Sequence, residues 1–164
     1  MDSVTVVVVD GTKVVIPLEV ANKSKMIRNL ISDIGIDQLC DIPLAGISLE
    51  VCQKVVEYMT MHRMDPDPAE DEDPRTRRTD NITDADRAFA NVDLRFLFEI
   101  ILAANYMDVR GLLDLMCKTF ANMVKGKDPK AIRELFGAES DFTKEEIEAV
   151  LRENEWAREP EATA

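Results

Sequence analysis

The sequence predicts an α+β domain, a small three-stranded sheet packed with a helical cluster, followed by a short two-helix extension. Three observations predict it. A β-branched hairpin signature opens the chain, helical periodicity dominates from residue 94 onward, and a proline- and acid-rich stretch separates the two.

The elements follow in order. Val4 to Val9, Asp10-Gly11 and Val14 to Pro17 spell strand, turn and strand, because β-branched runs favour the pleat and Asp-Gly supports a tight reversal. Met26, Ile27, Leu30, Ile31 and Ile34 recur at three- and four-residue spacing, and Gly35 stops that helix. Ile42 to Leu44, a short apolar segment before Gly46, supplies the third strand. Ser48 caps the next helix, which puts Leu49, Cys52, Val55, Val56 and Met59 on one face.

Residues 65–74, DPDPAEDEDP, hold six acids and no base, and RTRRTDN continues them without an apolar side chain. Such a stretch cannot bury enough surface to order itself, so residues 64–83 read as a solvated loop interrupting the domain. Beyond it, Phe89 and Val92 mark a short amphipathic piece. Leu94 to Met107 is apolar almost all round and predicts a central, buried helix. Asp108 is expected to cap a following helix carrying Val109, Leu112, Leu113, Met116, Cys117, Phe120 and Val124, with Gly126 ending it.

The last segment carries its own signals. Asp128-Pro129 opens a short helix with Ile132, Leu135 and Phe136 on one side, and Gly137 stops it. Thr143 and Glu146 then have capping-box spacing, with Phe142 and Ile147 at hydrophobic-staple spacing, ahead of Val150, Leu151 and Trp156. Two short helices offer little mass with which to cover each other. They either dock on the domain or form half of an interface, and the lone tryptophan favours the interface.

Charge and composition exclude several function classes. With 46% apolar residues the chain folds, and its net charge of −12 argues against nucleic acid and anionic membrane as partners. Eleven of those charges sit in two places: residues 65–74, and residues 127–164 with eleven acids against six bases. No apolar run reaches the roughly 18–20 residues of a membrane span, and the N-terminus lacks the pattern of a secretory signal, so the chain reads as intracellular. Cys40, Cys52 and Cys117 form no C-x-x-C pair and read as reduced thiols packed as small hydrophobes. His62 is the only histidine, with no partner at motif spacing, and no phosphate-cradling glycine loop or nucleophile elbow is present. Neither an enzyme, nor a metal site, nor a cofactor is expected. The competing reading, a thiol enzyme using Cys117 or Cys52 with His62, requires thiol and imidazole to meet at a surface.

The run LFEIILAANYMDVRGLLDLMCKTFANMVKGKDPKAIRELF (97–136), then DFTKEEIEAVLRENEW (141–156), closely resembles the Skp-type adaptor of SCF ubiquitin ligases. The N-terminal hairpin, the acidic loop and RTDNI match the same layout. The resemblance implies a BTB/POZ domain over residues 1–126 and an F-box-binding helical extension over 127–164. It implies a non-catalytic bridge in ubiquitin-dependent degradation, acting in cytoplasm and nucleus. By the same resemblance Asn105 and Tyr106 face a cullin scaffold. Phe98, Ile101, Leu113, Cys117, Phe120, Phe136, Phe142, Val150 and Trp156 face the F-box of interchangeable receptors. Weak homodimerisation of the free protein through exposed apolar helix faces is also expected. An elongin C-like adaptor of another cullin ligase is the nearest rival, but that type normally ends before the helices that residues 143–156 supply. Two positions depart from the pattern. Lys144 stands where some relatives carry a modifiable proline, and Phe120 is bulkier than the usual small aliphatic residue and is expected to narrow the receptor groove.

Overall fold

A computed structural model describes residues 3–35, 41–66, 81–139 and 141–154 of the chain. These fall into two compact units, residues 1–123 and residues 124–164.

In the first unit, β1 (Ser3–Val7) and β2 (Lys13–Pro17) pair antiparallel, Val4 opposite Ile16 and Val6 opposite Val14. β3 (Ile42–Pro43) adds to the other side of β1 in parallel, giving the order β2-β1-β3. The connection is longer than the two-residue Asp10-Gly11 turn expected from the sequence. The ladder is joined by residues 8–12, with Gly11 at φ +83° and the Asp10 carboxylate accepting the Thr12 N–H at 2.8 Å. Val9 leaves β1 because its N–H bonds to the Ile47 carbonyl instead.

Helices cover one face of this sheet. α1 (Leu18–Ala21), a single turn not signalled by the sequence pattern, packs against the hairpin and against α3 (Leu49–Met61). α2 (Lys25–Ile34) lies between them in sequence and ends at Gly35, whose φ of +84° suits only glycine. After the loop come α4 (Asp84–Phe89), α5 (Leu94–Tyr106) and α6 (Arg110–Val124). One core unites Val4, Val6 and Ile16 of the sheet, Val51, Val55 and Met59 of α3, Leu97 and Ile100 of α5, and Leu112 and Met116 of α6. The residues 67–80 of the acidic stretch lie outside the described residues.

Two expectations need correction. Asp108 does not cap α6: its φ of +50° is left-handed, whereas an N-cap needs extended backbone. Its carboxylate instead meets Arg110 Nε at 3.5 Å. α5 is central but not buried all round, because α3 and α6 cover only one of its sides. Leu97, Ile100, Ala103 and Ala104 are buried, while Phe98, Leu102 and Tyr106 are exposed.

Aromatic packing joins α3 to α4 and α6. The Tyr58 ring lies 4.2 Å from His62 and 5.7 Å from Phe89, centroid to centroid, and Lys54 Nζ sits 4.0 Å from the Phe89 centroid. Gly111 makes room for the phenol, since a Cβ there would lie 2.8 Å from Tyr58 Oη. Burial, with the charges of Asp86, Asp65 and Asp114 nearby, pushes the Tyr58 pKa up to about 12. The fold therefore holds the phenol neutral, and the unfolded chain loses that proton first, near pH 10. Stability is predicted to fall by up to about 2–3 kcal/mol as pH rises from 10 to 12. Tyr58→Phe should flatten that decline in alkaline thermal melts, and an unchanged slope would contradict the assignment.

The second unit holds α7 (Pro129–Phe136) and α8 (Lys144–Glu153). Asp128 caps α7 by accepting the Ala131 N–H at 2.6 Å, and Gly137 terminates it in the left-handed conformation. α8 begins with a complete capping box. The Thr143 hydroxyl accepts the Glu146 N–H at 3.3 Å, and the Glu146 carboxylate accepts the Thr143 N–H at 2.8 Å. The Thr143 N–H and then the Thr143 hydroxyl, which donates to the same carboxylate at 2.9 Å, hold the Glu146 carboxyl below its ordinary pKa. Neither helix has a buried residue.

Candidate functional site

Helix geometry organises the exposed side of α5. At 100° per residue, positions 98, 101, 102, 105 and 106 fall within an arc of about 140°, opposite buried positions 97, 100, 103, 104 and 107. The exposed arc thus runs Ile101, Asn105, Phe98, Leu102, Tyr106 around the helix. Leu102 is the most exposed apolar side chain on it, at 68%. Leu102 is a surface residue that the sequence reading did not single out. A helical wheel phased on Leu97, Ile100 and Ala104 would have found it.

The end of α5 is pinned from a distance. Ser24, the one buried polar side chain among the described residues, accepts the Ile27 N–H at 3.2 Å as N-cap of α2 and donates to the Met107 carbonyl at 2.5 Å. The Lys25 N–H adds a bond to the Asp108 carbonyl at 3.1 Å. From within, the Met107, Asp108 and Val109 N–H groups bond to the carbonyls of Ala103, Asn105 and Ala104. The backbone beneath Asn105 and Tyr106 is therefore held on every side, while both side chains stand exposed. That is an amide and a phenol presented to solvent from a fixed stretch of backbone, which lowers the entropic cost for a partner.

Beside them, Phe98 and Phe120 join α5 to α6 with ring centroids 5.4 Å apart and planes tilted by 53°. Ile101, Leu113 and Phe120 are half-buried, so they share their area between core and surface. Cys117 is exposed, not packed as a small hydrophobe as expected. In the second unit Phe136, Phe142, Val150 and Leu151 are all exposed, the last of them another residue not singled out from the sequence as a site. Trp156 and Cys40 lie outside the described residues.

His62 is better partnered than its sequence neighbourhood suggested. Nδ1 lies 2.6 Å from Asp65 and Nε2 lies 3.0 Å from Asp86, which ties the end of α3 to α4. The imidazole faces carboxylates on both nitrogens and no thiol. Cys52 is fully buried, and burial pushes its thiol pKa up, which opposes thiolate formation. Among the described residues no three His, Cys, Asp or Glu side chains gather as metal ligands, and no helix is long and apolar enough to cross a membrane. A cavity of about 680 Å³ beside His62 is lined by both signs of charge, with Lys118 paired to Asp114 at 2.6 Å.

The sequence is similar to those of known proteins. Residues 2–64 match a family model described as "Skp1 family, tetramerisation domain", and residues 110–157 match "Skp1 family, dimerisation domain". Among curated relatives, the E3 ubiquitin ligase complex SCF subunit sconC of Arthroderma benhamiae is 45% identical over 159 residues, 96% of each chain. The proteins of the same name from Talaromyces stipitatus and Aspergillus terreus are each 45% identical. The first match covers 90% of this chain and 92% of that relative, the second 92% of both.

Proposed function

The chain belongs to the Skp1 family, and from that premise we propose that it is the adaptor of an SCF-type ubiquitin ligase, bridging a cullin scaffold to F-box receptors without catalysis. The observation that carries this reading is the exposed arc of α5, which ends at Asn105 and Tyr106 over a backbone fixed by Ser24 and Lys25. Asn105 and Tyr106 meet the cullin, and Leu102 contributes apolar area beside them. Phe98, Ile101, Leu113, Cys117 and Phe120 supply the body's share of the receptor surface. Phe136, Phe142, Val150 and Trp156 supply the share of the C-terminal unit.

Each group suits its role. Polar and aromatic side chains on a rigid helix end favour a specific, orientation-dependent contact. None of the apolar side chains of α7 and α8 is itself buried, so a receptor that covers them gains about 1.5–3 kcal/mol per large side chain. Phe120, tilted against Phe98, adds bulk between α5 and α6 that favours receptors with small side chains opposite it. The presence of α8 with its own capping box favours this adaptor type over the elongin C type. The reading places the protein in cytoplasm and nucleus, where such ligases act.

The test is reconstitution. A fungal SCF-type cullin and an F-box protein, each purified alone, are expected to co-elute only when this chain is added, at one copy of each. Cullin and F-box protein that stay apart in its presence would refute the bridge.

A further inference from the structure

His62 is held on both ring nitrogens, and a neutral imidazole cannot satisfy both contacts. The residue ends α3, with its N–H bonded to the Tyr58 carbonyl at 3.0 Å. Nδ1 lies 2.6 Å from Asp65 Oδ2, just beyond α3, and Nε2 lies 3.0 Å from Asp86 Oδ1 of α4. A neutral ring carries one N–H and one lone pair, whereas an ionised carboxylate only accepts. With both aspartates ionised, the neutral ring sets its lone pair against a carboxylate oxygen at one of the two contacts. A proton on each nitrogen makes both contacts charge-assisted hydrogen bonds.

The groups around the ring bear on that second proton. From α3, the Tyr58 ring lies 4.2 Å away and its phenol stays neutral, so it adds no charge. Across the shared cavity, Asp114 and Lys118 of α6 form one ion pair at 2.6 Å, and Asp108 and Arg110 form another at 3.5 Å. Lys23 donates to the Asp65 carbonyl, and Lys25 and Arg28 of α2 add positive charge to the same wall, which opposes a charged ring. Two carboxylates at hydrogen-bond distance favour it, and they act over the shortest separations.

We propose that His62 is a proton-dependent clasp between the end of α3 and α4, closed on both sides when the ring carries two protons and lacking its Asp86 arm when it carries one. The closed form holds the extra proton, so the clasp weakens as pH rises through the titration of the ring. The remaining proton stays on Nδ1, which makes the shorter contact, and Asp86 keeps the Thr83 hydroxyl as a donor at 2.8 Å. Phe89 is buried at one end of α4, while the start of that helix is tied to α3 through Asp86. Losing this arm loosens the start of α4, on the cavity wall. The clasp uses no residue of the exposed α5 arc and is independent of the adaptor reading.

His62 is the only histidine, so its ring can be followed without ambiguity in the full-length chain. The two ring nitrogens are read by proton–nitrogen NMR from about pH 5 to pH 8, and amide exchange is measured over the same range and corrected for its intrinsic pH dependence. Both nitrogens should be protonated at the acidic end, and Nε2 should lose its proton first. Protection of the Arg87 and Ala90 amides, bonded to the Thr83 and Asp86 carbonyls, should fall at least about threefold with the same midpoint, while α6 stays unchanged. Asp86→Asn should move the ring titration to lower pH and remove the step in α4 protection. Protection of α4 that is indifferent to the ring's protonation overturns the proposal, as does loss of the Nδ1 proton first or a titration unmoved in Asp86→Asn. If thermal melts show that this variant unfolds, the wild-type titration and exchange decide alone.

Discussion

Removing residues 140–164 is expected to abolish capture of an F-box protein while the body continues to melt cooperatively. The deletion takes away α8 and with it Phe142, Val150 and Leu151, all exposed, together with Trp156. None of the described residues lost is buried, so the core of residues 1–123 keeps every side chain it packs. Covering three large apolar side chains on binding stabilises a complex by on the order of 4 kcal/mol or more, about a thousandfold in affinity. Capture by pull-down or calorimetry should therefore drop below detection. A truncated chain that still binds at wild-type strength would remove α8 from the interface. A lost thermal transition would show instead that the extension stabilises the body. A milder variant, Thr143→Ala, loosens the start of α8 by about 1 kcal/mol and should weaken capture without abolishing it.

The second large effect belongs to the other partner. Asn105→Ala together with Tyr106→Ala should weaken cullin binding by about 2–4 kcal/mol and leave F-box capture nearly unchanged. Both side chains are exposed, and the bond at this helix end runs from the Asp108 N–H to the Asn105 backbone carbonyl, which alanine retains. Stability should hardly move, so a loss of binding reports on contact and not on folding. Equal loss of cullin and receptor would point to a disturbed α5, and unimpaired cullin binding would exclude the pair from that face. Ser24→Ala offers a contrast, because it strips a buried hydrogen bond from the Met107 carbonyl and an N-cap from α2. It should cost about 1–3 kcal/mol of stability and weaken cullin binding only indirectly.

Much of this protein was legible before any coordinates. The hairpin, the helix from 49 to 61 with its Ser48 cap, and the capping box at Thr143 are all encoded within a few residues of themselves. Short-range signals of that kind held here because the packing around them left their local geometry intact. The acid-rich stretch and the near-neutral remainder were equally plain from counting. Other features went astray for a common reason. Asp108 had the composition of a cap but not its backbone, because the chain must reverse there between two packed helices. Cys117 sits on an apolar stripe whose outer part simply runs past the core.

Apart from the single turn of α1, the sequence by itself determined which segments are helix or strand and which apolar stripes exist, because turn chemistry, caps and periodicity act over one to four residues. It also carried, through resemblance, the family and the residues to suspect. Only the tertiary structure decided which side of α5 is covered, and so that Leu102 stands in water beside Phe98 and Tyr106. It alone joined Ser24 to Met107 across 83 positions and His62 to Asp86 across 24. It alone left the edge of β2 unpaired among the described strands. The physical reason is that burial and pairing are properties of what a segment packs against. A helix with apolar residues all round does not specify its own neighbours.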